Sequence, residues 1–142
     1  MNIARALQYV KQFEGLRLKP YRCPTGHWTI GYGHNLENGI SLQAAEFLLE
    51  QDWSAASQTV QSRWPWSKEL PAAARFVLTD MCFNMGAEKL AGFRRMLAAL
   101  QRKDYATAAA EMAESRWAKQ VGNRARILIQ IMQKGEDITW NL

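Results

Sequence analysis

The chain is poor in everything that would build a covalent or metal framework. Only two cysteines, Cys23 and Cys82, occur in 142 residues, too few for a disulfide scaffold. No Cys-x-x-Cys or clustered Cys/His spacing points to zinc. Counting leaves one arrangement open, a single Cys23–Cys82 bridge. Long apolar runs are missing as well. Residues 1–11 are amphipathic and interrupted by Arg5, Gln8 and Lys11, so they lack the apolar segment of a signal peptide, and no other stretch could span a membrane. The expectation is a protein that accumulates in the cytosol and reaches any destination outside with the help of another agent. Internal repeats, low-complexity tracts and long linkers are absent too. The 142 residues therefore read as one compact domain in two lobes, long enough to bury its own core.

Acidic residues are the scarcer charge, 13 against 18 basic, for a net charge of +5. That balance favours polyanionic partners such as nucleic acid, anionic membrane surfaces or acidic wall polymers. Plain solubility explains it equally well. Six tryptophans are many for this length; core positions account for most of them better than stacking platforms for sugars or bases do.

Ile3, Ala6, Leu7, Val10 and Phe13 recur at helical spacing behind Asn2 as N-cap, with Glu14 at or just past the helix end and Gly15 as the stop. The pattern then changes. Leu16, Leu18 and Pro20 alternate with Arg17 and Lys19, Pro24-Thr25-Gly26 is a turn cluster, and a second alternating run extends from His27 to Tyr32. This predicts a small β-hairpin or meander, extended by a third short strand before Gly39. Ser41 caps a helix to about Arg63 with Ala44, Ala45, Leu48, Leu49 and Trp53 on one face, ended by Trp64-Pro65-Trp66. Shorter helices follow over 72–84, 93–100, 104–113, 115–119 and 123–133, the last with Ile127, Leu128 and Ile131 inward. The fold class is α+β, mainly α.

The richest segment is Phe13 to His34. Eight residues separate Glu14 from Cys23 and five separate Cys23 from Thr29, so three polar groups sit among aromatic and aliphatic neighbours on turns, an arrangement suited to a cleft. A glutamate in an apolar pocket has its charged form disfavoured and can act as a general acid near neutral pH. A second anionic group can then hold or activate water, or attack the substrate, which is the pairing glycoside hydrolysis needs.

Glu14, Cys23 and Thr29, with their flanks Glu14-Gly15-Leu16-Arg17-Leu18 and Thr29-Ile30-Gly31-Tyr32-Gly33-His34, resemble the T-even-phage-type lysozymes, the endolysin family of muramidases. Asn84-Met85-Gly86, Ala91-Gly92-Phe93, Ser115-Arg116-Trp117 and 120–125 (Gln-Val-Gly-Asn-Arg-Ala) match that family's helical lobe in order and spacing. The resemblance implies a lysozyme-like fold: a small β-containing lobe (about 14–60) joined by a long helix to a helical lobe (about 1–13 and 61–142). It implies that Glu14 is the general acid, that Cys23 replaces the aspartate many relatives carry, and that Thr29 holds the attacking water. Asn84, Trp117 and Arg124 would bind substrate, and Arg124 matches an arginine that pairs with the catalytic glutamate. His34 and Asp52 correspond to a structural His–Asp pair. The segment between His34 and Ser41 is shorter than in the longest relatives, implying a trimmed small lobe.

The implied activity is cleavage of the β-1,4 bond between N-acetylmuramic acid and N-acetylglucosamine in peptidoglycan, without metal or organic cofactor. The protein would be a monomer from the host cytoplasm that does not insert stably into membranes, does not bind nucleic acid, and reaches the wall after a holin has permeabilised the membrane. At Cys23 three roles stay open: thiolate base, nucleophile, or positioner of water. Cys82, between Met81 and Phe83, reads as inert core. A lytic transglycosylase, which needs no water-activating partner, a silent wall-binding module, and a basic helical nucleic-acid binder are the competing readings. The complete Glu/Cys/Thr set disfavours the first two, and basic residues scattered over several helices disfavour the third.

Overall fold

A computed structural model of the chain describes residues 2–135. In chain order the elements are α1 (Ile3–Glu14), β1 (Arg17–Arg22), β2 (Trp28–Gly31), β3 (His34–Asn35), α2 (Leu42–Arg63), α3 (Ala72–Met85), α4 (Ala87–Ala91), α5 (Arg94–Gln101), α6 (Tyr105–Ala113), α7 (Arg116–Val121) and α8 (Asn123–Lys134). Short 3-10 turns occupy Leu36–Asn38 and Pro65–Glu69. The α+β, mainly α expectation holds. The chain divides into two compact units, Met1–Phe47 and Leu48–Leu142, with the division inside α2.

In the first unit α1 is capped as its sequence demands. Asn2 Oδ1 accepts from the Ala4 N–H at 2.8 Å, and Gly15 ends the helix at φ 71 with its N–H on the Lys11 carbonyl. The three strands form an antiparallel sheet in the order β1-β2-β3. The β1–β2 turn decides its register. The Gly26 N–H donates to the Cys23 carbonyl at 2.8 Å and the Cys23 N–H donates to the His27 carbonyl at 2.9 Å. Gly26 supplies the left-handed φ of +84 that this three-residue loop requires. Tyr21 therefore faces Thr29 and Arg22 faces Trp28, with a bulge further back between Arg17 and Tyr21. On the far side Thr29 pairs with Asn35 and Ile30 with His34.

The apolar stripe of α1 is not enclosed: Ile3 and Phe13 are 77% and 79% exposed. A unit of this length has too little chain to cover a helix and a sheet together. Every buried apolar residue among those described belongs to the second unit. There α6 packs on α5 and α8, and α3 and α7 also meet α8. Leu78, Met81, Leu90, Met96, Leu100, Met112 and Met132 are fully buried at the centre.

Most predicted boundaries hold within two residues, including the Ser41 cap, whose Oγ accepts from the Ala44 N–H at 3.1 Å. Three details differ. Ile127 is exposed while Leu128 and Ile131 are buried, because α8 turns a narrower stripe inward. Leu48 and Leu49 are exposed, and α2 buries Ala56 and Val60 instead. The five-residue α4 was not anticipated, since so short a segment shows no period; it exists to bury Leu90 between two glycine-marked turns. Trp117 is buried, Trp64 and Trp66 pack against the core, and Trp53 lies 5.5 and 5.9 Å from the Phe76 and Phe83 rings. Trp28 is partly exposed under the Arg22 guanidinium, and Trp140 lies outside the described residues.

Leu90→Ala should cost about 2–5 kcal/mol of unfolding free energy, measured as a fall in the urea midpoint at unchanged slope. A loss under about 1 kcal/mol would mean that α4 is not part of the core.

Candidate active site

Glu14 is the last residue of α1, and its side chain is exposed rather than enclosed in the apolar pocket that the sequence suggested. Its carboxylate is seated on Gly33. A Cβ built on Gly33 would lie 2.5 Å from Glu14 Oε2, and Gly33 itself has φ +76. Only glycine satisfies both demands. The helix end and the β2–β3 turn thus meet at one carboxylate.

Cys23 and Thr29 belong to the same face of the hairpin. Register places Tyr21 opposite Thr29, and the Cys23–His27 hydrogen bond extends that ladder by one rung. Residues 21, 23, 27 and 29 consequently project to one side, while Arg22 and Trp28 project to the other, the guanidinium 4.5 Å from the indole centroid. Cys23 is half-buried and a free thiol, with Sγ 3.1 Å from Thr25 Oγ1. Hydrogen bonding to the Thr25 side chain, then to backbone groups of His27 and Thr25 and to the Thr29 hydroxyl, outweighs desolvation and lowers the thiol pKa to about 7. Thr29 is 4% exposed, and its hydroxyl donates to the His27 carbonyl at 2.9 Å, leaving its lone pairs to accept. Cys82 is also a free thiol, buried on α3, where desolvation raises its pKa. No Cys23–Cys82 bridge forms.

In the second unit Asn84 and Trp117 are brought together: the indole N–H donates to Asn84 Oδ1 at 2.9 Å. Both line a cavity of about 920 Å³, along with Phe93, Arg116 and Gln120. Trp117 is buried and meets Phe93 edge-on at 6.2 Å, so it shapes the wall of the cavity more than it offers a free ring face. Arg124 is engaged elsewhere. Its Nε and one Nη each donate to Asp80 at 2.9 Å in a two-pronged pair, and its guanidinium lies 6.0 Å from the Phe83 ring centroid. It is therefore no solvated helix arginine. His34 holds the Gly39 carbonyl through Nε2 at 2.9 Å inside the first unit, while Asp52 belongs to the second.

A family model described as phage lysozyme matches residues 11–133. The chain belongs to the phage lysozyme family. It is 32% identical over 126 residues to an endolysin of Acyrthosiphon pisum secondary endosymbiont phage 1, covering 84% of this chain and 83% of that protein. A probable T4-type lysozyme of Dictyostelium discoideum is 27% identical over 156 residues, covering 89% and 92%. The SAR-endolysin of Escherichia phage P1 is 30% identical over 90 residues, covering 59% of this chain and 47% of that protein. This lysozyme is accordingly a glycoside hydrolase with a lysozyme-like α+β fold. Among its described residues no helix is long and apolar enough to cross a membrane.

Sequence reasoning passed over four residues around these sites. Gly33 carries no signal of its own beyond the flank it belongs to, yet its neighbour is the Glu14 carboxylate. Asp80 has nothing in its local sequence to mark it out on α3. His27 and Glu37 were not singled out, yet His27 Nδ1 lies 2.7 Å from Glu37 Oε2. The signal for His27 was available, since placing Pro24-Thr25-Gly26 in a three-residue turn puts it directly across from Cys23.

Arg124→Ala should destabilise the lysozyme by about 1–3 kcal/mol in urea unfolding, because it strands the buried Asp80 carboxylate. The figure lies below that of a fully buried pair, since Arg124 is 39% exposed. Arg124→Lys should recover only part of the loss, as one ammonium cannot replace the fork.

Proposed function

We propose that this lysozyme is an endolysin that hydrolyses the β-1,4 bond between N-acetylmuramic acid and N-acetylglucosamine in peptidoglycan, with Glu14, Cys23 and Thr29 as its catalytic groups. The observation that carries the reading is the placement of Cys23 and Thr29 on one face of the hairpin, with the Glu14 carboxylate fixed on Gly33 of the same sheet.

In this reading Glu14 gives its proton to the leaving glycosidic oxygen. Bound saccharide covers the exposed carboxylate and keeps bulk water from it. Cys23 works as a thiolate base: it takes a proton from the water that attacks the anomeric carbon, while the Thr29 hydroxyl oxygen accepts the water's other hydrogen. The C–O bond to the leaving sugar breaks as the new C–O bond forms, and configuration inverts. A pKa of about 7 makes thiolate available near neutral pH. Asn84 and Trp117 contact substrate at the cavity of the second unit. Arg124 contributes the N–H donors that Asp80 does not use. No cofactor takes part.

The 32% identity to a phage endolysin supports host lysis by a phage or prophage, with a monomer in the host cytoplasm that reaches the wall once a holin has opened the membrane. The net charge of +5 helps the protein to meet an anionic wall, an attraction that salt weakens. Hydrolysis itself does not depend on that setting, as the Dictyostelium relatives come from outside phages.

Turbidity clearing of purified peptidoglycan tests the assignment. Glu14→Gln should abolish clearing, and activity near wild type would sink it. Cys23→Ser should be severely impaired and Cys23→Asp active; serine working as well as cysteine would remove the ionisable role. Because the deprotonated thiol is the working form, the ratio of wild-type to Cys23→Asp activity should rise as pH increases through about 7, the need for protonated Glu14 being common to both. Gly33→Ala should lower activity by about 10–100-fold through displacement of Glu14 and cost about 1–2 kcal/mol of stability, because its φ of +76 disfavours a Cβ; full activity would show that the seat does not matter.

A further inference from the structure

His27 and Glu37 lie outside the Glu/Cys/Thr set, yet the sheet aligns both with Cys23. Cys23 and His27 flank the β1–β2 turn, one position beyond each strand, joined by the Cys23 N–H on the His27 carbonyl at 2.9 Å. Directly opposed residues in an antiparallel ladder have Cβ atoms about 5 Å apart on the same face. Counting back along the β2–β3 register, from Thr29 opposite Asn35, brings position 27 opposite position 37. There the chain enters the 3-10 turn Leu36–Asn38, whose cap Asn35 Oδ1 holds the Glu37 N–H at 2.9 Å. From that anchored position Glu37 Oε2 reaches His27 Nδ1 at 2.7 Å. With Nδ1 occupied by the carboxylate, Nε2 on the other side of the ring is the nitrogen left for a second partner.

We propose that Cys23, His27 and Glu37 form a thiol–imidazole–carboxylate row across the sheet, in which His27, oriented by Glu37, is a positioning residue that keeps the Cys23 sulfur ionised. For its consequence in hydrolysis this rests on the base role given to Cys23 above; the row itself can be tested without it.

The charges around the row agree with this wiring. Hydrogen bonding to Glu37 and then its charge raise the His27 pKa, with a smaller contribution from Cys23. The same hydrogen bond lowers the pKa of Glu37. A thiolate that favours the imidazolium is, by reciprocity, favoured by it. From the opposite face Arg22 donates through Nη1 to the Gly26 carbonyl at 3.0 Å, and its charge also favours ionised Glu37; on the row's own face stands Tyr21, with the Arg17 guanidinium 4.4 Å from its ring centroid. Thr25 is the competing influence, since its hydroxyl touches the sulfur directly. Among the described residues no three His, Cys, Asp or Glu side chains are grouped to hold a metal ion.

The test is the pH dependence of Cys23 alkylation by iodoacetamide, followed by peptide mass with buried Cys82 as the slow internal reference. The wild-type midpoint should lie at about 7. His27→Ala and Glu37→Gln should both move it upward and slow alkylation at pH 7 by about two- to threefold, with the Thr25 hydroxyl keeping the rest of the lowering in place. Conversely, Cys23→Ser should lower the His27 midpoint in an NMR titration, a response that a merely structural histidine would not give. Unchanged alkylation midpoints in both variants, with Thr25→Val alone moving the value, would overturn the row. If the alkylation midpoints move while the lysis profile stays put, the row stands and the base role of Cys23 in hydrolysis fails.

Discussion

The proposed active face of this lysozyme depends on the register of a single hairpin. Two backbone hydrogen bonds at the turn, Gly26 N–H to the Cys23 carbonyl and Cys23 N–H to the His27 carbonyl, fix which residues face one another along β1 and β2. Strand side chains alternate with period two, so a slip of one residue would turn either Cys23 or its partners to the opposite face. The left-handed Gly26 and the fixed φ of Pro24 make the turn specific, and nothing bulky is needed. The hairpin belongs to a unit with no buried apolar residue among those described, while Leu48–Leu142 holds all of them.

The two ionisable groups are handled by different means. The Glu14 carboxylate lies close beside Gly33, in space that a Cβ there would take. Cys23 has its protonation set by hydrogen bonds, from the Thr25 hydroxyl first and from neighbouring backbone groups next. An aspartate would be ionised at neutral pH unaided. A thiol needs this help, so the residues around it take on a task they would not have beside a carboxylate.

Much of this was legible in the sequence because the signals were local. Asn2, Gly15, Ser41 and Pro65 mark helix ends through capping and proline chemistry that operate within one turn, and α1 and α2 begin and end where these residues put them. The Glu14, Cys23 and Thr29 spacing could be read for the same reason. What escaped was set by the third dimension. The seating of Glu14 on Gly33 and the fork between Arg124 and Asp80, 44 positions apart, join residues that no periodicity links. Burial of single faces was misjudged at Leu48, Leu49 and Ile127, where an apolar residue on the expected stripe is not covered. His27 lies between these cases: the turn chemistry was read, but its consequence for the residue across from Cys23 was not followed.

Digestion of purified peptidoglycan in water enriched in oxygen-18, with the released muropeptides resolved by mass, tests the hydrolytic account most directly. It predicts one labelled oxygen at a new N-acetylmuramic acid reducing end in each product. Unlabelled anhydro-muramic ends, or new reducing ends on N-acetylglucosamine, would contradict it.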